Sequence, residues 1–140
     1  IRATPIQTEK FTWNTNVSYS TNSNKVVALS SEKFSMDQDY FYTGYTGEPI
    51  QTTTHIVQVG KPIGTFYGLK SVDITDDGLW LVENKKGEHV LAEETDATDW
   101  QVLGNGIPKH YLNWNNTFNF FNFDLSINMR GAFGFQILKN

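Results

Sequence analysis

Apolar and small polar residues alternate at almost every step between residues 111 and 130. Because successive residues of a strand point to opposite faces of a sheet, this pattern predicts two strands, residues 111–119 and 123–130. A very short turn at Phe121-Asn122 joins them. One face of the predicted hairpin is apolar, and the other carries mainly asparagine, serine and threonine. The glycines of Gly131-Ala132-Phe133-Gly134 are expected to break the pattern.

A third alternating stretch lies near the start of the chain, between residues 11 and 20. Its odd positions are mainly apolar, and its even positions include Asn14 and Asn16. We expect one two-faced strand that continues through residues 21–25 into Val26-Val27-Ala28-Leu29. The segment before it, residues 5–10, is polar and predicts a turn.

The middle of the chain, residues 30–108, has poor periodicity and many glycine, aspartate and threonine residues. Short strand-like pieces occur at residues 56–59, 65–72 and 79–82. Turns are predicted at Tyr42-Thr43-Gly44, Thr46-Gly47-Glu48-Pro49, Asp76-Asp77-Gly78, Lys85-Lys86-Gly87 and Gly104-Asn105-Gly106. The Asp77-Gly78 and Lys86-Gly87 pairs flank residues 79–84, which predicts a small hairpin or meander.

Strand length and connection length favour a membrane barrel over a soluble sheet. The alternating strands have the roughly 9–11 residues needed to cross a bilayer at a tilt, and their polar faces carry few charges. One connection is very short and the other very long, as in outer-membrane barrels. Aromatic residues near strand ends suit the lipid–water boundary; they are Trp13, Tyr19, Tyr111, Trp114 and Phe123.

The predicted fold class is therefore all-β, with antiparallel strands of a partial transmembrane β-barrel and one long extracellular loop. The predicted regions are a strand region (1–29), the extracellular loop (30–108) and the barrel hairpin (109–140). A soluble carbohydrate-binding β-sandwich is the alternative. That alternative requires six side chains to be buried within this chain, namely Trp13, Leu112, Trp114, Phe118, Leu125 and Ile127.

Composition narrows the possible functions. The 140 residues carry a formal net charge of −4 and no cysteine. The acidity argues against a nucleic-acid partner, and the missing cysteines exclude disulfides and thiolate metal sites. No apolar run is long enough for a membrane-spanning helix. The chain has no signal peptide and no initiator methionine, so we expect a mature protein or a piece of a larger one.

Enzymatic and metal-binding motifs are not evident in the sequence. His55, His89 and His110 lack metal-ligand spacing. Three acidic side chains, Asp73, Asp76 and Asp77, offer oxygens that calcium prefers but lack the spaced ligands of a known loop, so a solvated turn is the alternative. The acidic run Glu93-Glu94 and Asp96 resembles a solvated loop more than a glycosidase pair, so a glycoside hydrolase ranks last. We predict no catalytic residues, no metal and no cofactor.

Five motifs in order resemble the SusC/RagA-like family of TonB-dependent outer-membrane transporters, over nearly the whole chain. They are Thr4-Pro5-Ile6 before Phe11-Thr12-Trp13-Asn14; Asn24-Lys25-Val26-Val27-Ala28-Leu29; Gly60-Lys61-Pro62-Ile63-Gly64-Thr65-Phe66-Tyr67-Gly68-Leu69, similar to Gly-x-Pro-[Ile/Leu]-Gly-x-Phe-Tyr-Gly-Tyr; Leu103-Gly104-Asn105-Gly106-Ile107-Pro108; and Asn116-Thr117-Phe118 through Phe123-Asp124-Leu125-Ser126. Leu69 stands where tyrosine is common in the family.

The resemblance implies an internal stretch of a nutrient importer in the outer membrane of a Gram-negative, Bacteroidota-like bacterium. It implies an oligosaccharide or peptide cargo, a SusD-like surface lipoprotein as partner, and a TonB complex that acts through parts of the protein not present here. Outer-membrane lipid would surround the barrel, and Phe121-Asn122 would form a periplasmic turn.

Two sets of residues are candidates for binding or for lining the channel. Aromatic rings and hydrogen-bonding groups recognise sugars, and packing within the loop is the alternative role for these rings. The candidate contacts to ligand or partner are Tyr45, Phe66, Tyr67, Trp80 and Trp100. The candidate lumen-facing residues are Asn14, Asn16, Asn113, Asn115, Thr117 and Asn119.

Overall fold

A computed structural model describes residues 1–48 and 51–138. Pro49, part of the predicted turn at residues 46–49, and the last two residues of the predicted hairpin region lie outside it. The described fold is all-β with antiparallel pairing, as predicted. Its strands are β1 (Arg2–Gln7), β2 (Phe11–Thr21), β3 (Tyr40–Tyr45), β4 (Thr53–Gln58), β5 (Thr65–Gly68), β6 (Lys70–Ile74), β7 (Trp80–Glu83), β8 (His89–Leu91), β9 (Gln101–Asn105), β10 (His110–Phe120) and β11 (Phe123–Phe133).

The chain divides into two compact units. The terminal unit comprises residues 1–23 and 108–135, and the inserted unit comprises residues 24–107 with the described residues from 136 onward. The terminal unit contains one four-stranded sheet in the order β1-β2-β10-β11. The inserted unit contains a four-stranded sheet, β3-β4-β5-β9, and a three-stranded sheet, β6-β7-β8.

The long hairpin of the terminal unit is confirmed. Strands β10 and β11 pair along eleven positions from His110↔Phe133 to Phe120↔Phe123, so only residues 121 and 122 form the turn. Phe121 adopts a positive φ of 51°. A positive φ at the first turn position is the geometry of a tight two-residue hairpin whose twist matches the strands.

Connections in the terminal unit differ strongly in length between the two ends of the sheet. Residues 8–10 join β1 to β2 at the same end as the Phe121-Asn122 turn, and the Phe121 N–H donates to the Lys10 carbonyl at 3.1 Å. At the other end Thr21 pairs with His110, and the chain between them forms the inserted unit. All short connections of this sheet therefore lie at one end.

Three predictions for the terminal unit are wrong. Residues 5–7 belong to β1 and do not form a turn, since this edge strand tolerates Pro5 beside a bulge between Ala3 and Ile6. Residues 26–29 are not a continuation of β2, although Val26 exchanges two backbone hydrogen bonds with Gly60 and Lys61. Strand β11 continues to Phe133, because residues 131–133 still pair with residues 110–112 of β10.

The inserted unit is folded, although its sequence has poor periodicity. Its buried apolar residues are Ile56, Phe66 and Val82, and Thr65 is also buried, with its hydroxyl donating to the Pro62 carbonyl at 2.7 Å. The predicted meander is confirmed, since β6, β7 and β8 pair in sequence around residues 79–84.

Two turns predicted in the inserted unit are wrong. Tyr42-Thr43-Gly44 lies within β3, where Gly44 has a φ of 74° and a side chain there would collide with the His55 ring. Gly104 and Asn105 end β9, and the Asn105 carbonyl accepts a hydrogen bond from the Gln136 N–H at 2.9 Å. Glycine thus permits close backbone approach within these strands and does not end them.

The burial required by the soluble β-sandwich is not observed. None of the six diagnostic side chains is buried, and Leu125 and Trp114 are 55% and 40% exposed. Ile127 and Leu112 are exposed at 41% and 37%. In the part of the chain that the structure describes, no helix is both long and apolar enough to cross a membrane.

Candidate functional site

The polar face of the terminal sheet brings together all six candidate lumen residues. In the register of β2 with β10, Asn16 lies opposite Asn115 and Asn14 opposite Thr117. The side chains form cross-strand hydrogen bonds: Thr4 Oγ1 donates to Asn14 Oδ1 at 2.8 Å, and Asn119 Nδ2 donates to Asp124 Oδ1 at 2.6 Å. The result is a ladder of mostly uncharged hydrogen-bonding groups. That this face lines a channel stays a prediction.

The opposite face of the same sheet is apolar across all four strands. Register places residues at cross-strand positions on one face. The apolar members of this face are Ile6, Phe11, Trp13, Val17, Tyr19, Leu112, Trp114, Phe118, Phe120, Phe123, Leu125, Ile127, Met129 and Phe133. Many of these side chains are more than one-third exposed.

Two polar residues, Thr15 and Asn116, interrupt the apolar face and lie directly opposite each other. Each accepts a hydrogen bond from a tryptophan: Trp13 Nε1 donates to Asn116 Oδ1 at 3.1 Å, and Trp114 Nε1 donates to Thr15 Oγ1 at 2.8 Å. Asn116 is only 4% exposed. Both indole N–H groups are therefore satisfied within the face, as an apolar surrounding requires.

Aromatic rings are concentrated at the end of the sheet that carries the short turns. Phe118 packs against Trp13 at 5.9 Å and against Phe11 at 6.3 Å between ring centroids. Phe120 contacts Phe121 edge-on at 4.5 Å, and the Lys10 ammonium lies 5.8 Å from the Phe121 ring. A cation beside a band of rings suits a boundary between apolar and aqueous surroundings.

The opposite end of the sheet carries a smaller aromatic group. The Tyr19 hydroxyl and His110 Nδ1 are hydrogen-bonded at 2.7 Å, and their rings stack with centroids 5.9 Å apart. Phe133 is the cross-strand partner of His110. Apolar positions between the two ends are mainly aliphatic, so aromatic rings border the apolar face at both ends.

Four aromatic rings form a continuous row in the inserted unit. Centroid distances are 5.4 Å between Tyr40 and Tyr42, 5.6 Å between Tyr42 and Tyr67, and 6.0 Å between Tyr67 and Trp100. The row, Tyr40-Tyr42-Tyr67-Trp100, crosses from β3 to the start of β9. Tyr42 remains 46% exposed. The row brings together two of the five candidate contact residues, Tyr67 and Trp100.

The phenol at the centre of this row is perturbed by its neighbours. Partial burial raises the pKa of Tyr42 above its ordinary value of 10.0, and the charges that Tyr67 and Tyr40 would acquire raise it further. Hydrogen bonding to Tyr40 and Tyr67 acts in the same direction. Tyr42 is therefore a neutral hydrogen-bonding group throughout the physiological range.

A cavity of about 250 Å³ lies at the Trp100 end of the row. Tyr67 and Trp100 line it together with Leu69, Leu103 and Leu138, and threonines 46 and 52–54 complete its wall. Thr54 Oγ1 already donates to the Gly44 carbonyl at 2.8 Å. The cavity is smaller than the roughly 300–1,000 Å³ of complete ligand pockets, so it suits one ring or one side chain.

The other three candidate contact residues lie apart from the row. Tyr45 is 64% exposed at the end of β3. Phe66 is only 8% exposed and packs on the His55 ring at 4.8 Å, so it belongs to the core of the inserted unit. Trp80 is 56% exposed on β7, in the other sheet.

Acidic residues of the inserted unit have structural hydrogen bonds. Asp96 begins a short 3₁₀ turn, Ala97–Asp99, and hydrogen bonds from the side chain and the N–H of Thr98 lower its pKa. Glu94 accepts a bond from the Leu91 N–H at 3.2 Å. Within residues 1–48 and 51–138, no group of three or more His, Asp or Glu side chains is placed to hold a metal.

Sequence reasoning missed two features of these surfaces. The Tyr40-x-Tyr42 spacing indicates two rings on one face of a strand, but the neighbouring Gly44 favours a turn there and hides the strand. Thr15 and Asn116 are polar residues at positions where the alternation demands apolar ones. Such an exception in two strands is a detectable signal of a cross-strand polar pair.

An antiparallel sheet with an exposed apolar face, an opposite uncharged polar face and aromatic borders is typical of transmembrane β-barrel proteins. No known protein-family profile matches the chain.

Two curated proteins from Formosa agariphila are similar to the chain. TonB-dependent receptor P3 is 26% identical over 151 residues, covering 99% of this chain, and TonB-dependent receptor P39 is 31% identical over 93 residues, covering 60%. Both relatives are named TonB-dependent receptors, and their similarity supports the same family for this chain. The chain spans 15% and 8% of the length of these relatives.

Proposed function

We propose that this chain is a segment of a SusC/RagA-like TonB-dependent importer in the outer membrane of a Gram-negative bacterium. The terminal unit supplies four neighbouring strands of a transmembrane β-barrel. One observation carries this proposal: every short connection lies at one end of a two-faced sheet, and the long excursion leaves from the other. Outer-membrane barrels combine short periplasmic turns with long extracellular loops in this way.

In this proposal the apolar face of the terminal sheet contacts lipid, and its polar face points to the lumen. Asn14, Asn16, Asn113, Asn115, Thr117 and Asn119 would then line or brace the channel. Among the described residues no strand pairs with the outer edges of β1 and β11. Open edges are not tolerated in lipid, so further strands of the longer protein would pair there.

The inserted unit is then an extracellular excursion that contacts the cargo. We assign the row Tyr40-Tyr42-Tyr67-Trp100 and its adjoining cavity to one face of an oligosaccharide, with a peptide as the alternative cargo. Exposed rings combined with hydroxyl groups offer both the apolar and the polar contacts that a sugar ring needs. We propose no catalytic step and no cofactor for this segment; a SusD-like lipoprotein would cover the transporter, and the TonB complex would act through other segments.

The orientation of the two faces can be tested on β11, because the chain has no cysteine of its own. Single cysteines at positions 125–130 of a full-length, otherwise cysteine-free receptor would carry nitroxide labels in nanodiscs. Relaxation by oxygen, which concentrates in lipid, should dominate at 125, 127 and 129. Relaxation by a water-soluble nickel chelate should dominate at 126, 128 and 130.

Two outcomes of the label experiment would contradict the barrel proposal. Labels at 125, 127 and 129 that are shielded from both reagents indicate a protein core, as in a soluble sandwich. Equal exposure of all six positions to the nickel chelate indicates a sheet outside the membrane. A label at Val82, which is 3% exposed in the inserted unit, provides the reference for a protein core.

The cargo assignment can be tested by transport. We expect Trp100→Ala and Tyr67→Ala to raise the KM for oligosaccharide uptake roughly three- to tenfold, since each removes one stacking partner. Phe34→Ala, at an exposed aromatic residue outside the row, is the matched control. If the wild-type receptor takes up peptides and no oligosaccharide, the oligosaccharide assignment is wrong and a peptide is the cargo.

A further inference from the structure

The hairpin between β6 and β7 ends in an ordered tip, residues 73–80. The Thr75 N–H donates to the Leu79 carbonyl at 2.8 Å, and the Gly78 N–H donates to the Thr75 carbonyl at 2.8 Å. Thr75 Oγ1 accepts the Leu79 N–H at 3.0 Å. Because its backbone groups are hydrogen-bonded within the turn, the tip presents its side chains in a defined arrangement.

This tip exposes three large apolar side chains; Ile74 and Trp80 share one face of the hairpin, whereas Leu79 pairs with Thr75 and points to the other face. Ile74 and Trp80 are cross-strand partners, and they are 48% and 56% exposed; the adjacent Leu79 is 47% exposed. Two residues further along β7, on the same face, Val82 is only 3% exposed. The apolar face of this sheet is thus covered at one end and uncovered at the tip. Ordered apolar patches of this kind mark interaction sites, and tryptophan is the most typical anchor.

The surrounding charge is entirely negative. Asp73, Asp76 and Asp77 flank the apolar residues, and no lysine or arginine occurs between residues 71 and 84. Lys70, the nearest lysine in sequence, is already paired with Glu83 at 2.6 Å. Asp73 Oδ1 accepts a hydrogen bond from the Ile74 N–H at 2.8 Å, so Asp76 and Asp77 are the carboxylates that a basic partner would meet. Anionic lipid head groups would be repelled by them, which argues against a membrane surface.

We propose that the hairpin tip is a docking site for a protein with an apolar recess bordered by lysine or arginine. Trp80 enters the recess, Ile74 covers its margin, and Asp76 and Asp77 pair with the basic border. This inference rests on the proposed function in that the surface lipoprotein of the same transporter is the partner expected to carry that recess. Electrostatic complementarity of this kind selects the partner and accelerates its association.

The test uses the full-length transporter co-expressed with its tagged surface lipoprotein. Trp80→Ser combined with Ile74→Ser should weaken the complex at least about tenfold, as expected for loss of an interface anchor. Asp76→Lys with Asp77→Lys should weaken it several-fold and remove much of its salt dependence. Phe34→Ser, an exposed aromatic residue elsewhere in the same unit, is the matched control and should leave the affinity unchanged.

The outcomes separate the inference from the proposed function. A wild-type transporter that does not bind the lipoprotein contradicts the proposed partnership and the inference together. A wild-type complex that the Trp80/Ile74 variant retains overturns the inference alone. A variant that lowers the amount of transporter in the outer membrane while keeping its affinity shows that the tip packs on the transporter itself, which also overturns it.

Discussion

At the scale of single residues, two tryptophan N–H groups find their hydrogen-bond acceptors within the apolar face of the terminal sheet. Trp13 donates to Asn116 and Trp114 to Thr15, and each pair joins β2 to β10. The two bonds cross between strands in opposite directions. They therefore hold the register of these strands and give both indole N–H groups a partner on that face.

Removal of one member of the Trp13–Asn116 pair should show that the contribution of each residue to stability depends on the other. We expect Asn116→Leu in the full-length receptor to lower the free energy of unfolding by about 1–3 kcal/mol, because the indole N–H loses its acceptor. The double variant with Trp13→Phe should cost less than the sum of both single variants. Denaturant unfolding in detergent micelles measures these differences.

Asn115→Leu provides the control for this cycle, because Asn115 lies on the opposite face of the same strand. Its effect on the free energy of unfolding should be small. Additive costs of the two single variants would contradict a hydrogen bond between Trp13 and Asn116.

The raised pKa of Tyr42 predicts how the inserted unit responds to alkali. A phenol whose folded pKa is raised stabilises the fold below its unfolded pKa of 10.0, and this contribution is lost as the pH rises through the folded value. At pH values above about 10, the midpoint temperature of thermal unfolding of the inserted unit should therefore decrease. Tyr42→Phe should make this decrease smaller. The variant should also lose phenolate absorbance that develops above pH 10.0.

A residue remote from the row checks this interpretation. Tyr45 is well exposed and lies outside the row, so Tyr45→Phe provides the control. A Tyr42→Phe variant with an unchanged alkaline titration would contradict the assignment of the raised pKa to this residue.

At the scale of elements, the two-residue period separates the sides of β11. Ile127 and Asn128 are neighbours in sequence but lie on opposite faces of the sheet. Under the proposed function, Ile127→Arg places a charge in lipid near the middle of the strand and should cost about 2–4 kcal/mol of folding free energy. Asn128→Arg should cost much less, because water reaches the lumen side.

Folding into lipid vesicles at increasing denaturant measures both arginine variants of the full-length receptor. The pair is closely matched, since the new side chain is the same and the positions are adjacent. Equal costs for the two variants would contradict a lipid-facing apolar side.

Elements with strict alternation and the meander bounded by glycine turns were predictable from sequence, whereas β1 and β3 were not. The long strands β2, β10 and β11 and the turn at residues 121–122 follow from the period of their apolar residues. The edge strand β1 carries Pro5 and lacks alternation, so its residues resemble a turn although they pair with the next strand, β2. In β3, the conformation of Gly44 depends on the His55 ring across the strand pair, which a local pattern does not contain.

The candidate contact residues show the same limit. Aromatic type alone selected Tyr67 and Trp100, which do meet, but also Phe66, which is buried. Only the pairing of β4, β5 and β9 distinguishes them, because it places adjacent residues 66 and 67 on opposite faces. A sequence of short strands with bulges does not reveal which face is covered.

At the scale of the whole molecule, the excursion leaves and returns through adjacent residues. Thr21 pairs with His110, and the Asn22 N–H donates to the Lys109 carbonyl at 2.9 Å. We expect a full-length receptor in which a two-residue turn replaces residues 23–108 to insert into the outer membrane at an amount similar to wild type. Cargo binding and lipoprotein binding should be lost.

Heat-modifiable migration on gels and outer-membrane fractionation measure insertion of the shortened receptor. Replacement of the Phe121-Asn122 turn by a long flexible linker, at the other end of the sheet, is the informative comparison. Loss of insertion in the shortened receptor would show that the sheet depends on the excursion for its folding.

The narrow mouth of the excursion also has a consequence for evolution. Recombination between related genes needs only two crossover points, one before the codon of residue 22 and one after that of residue 109, to exchange everything between them. The strand ends that receive a new excursion keep their own hydrogen bonds. Under the proposed function, a single gene conversion would change the cargo-contacting excursion and leave the barrel strands unchanged.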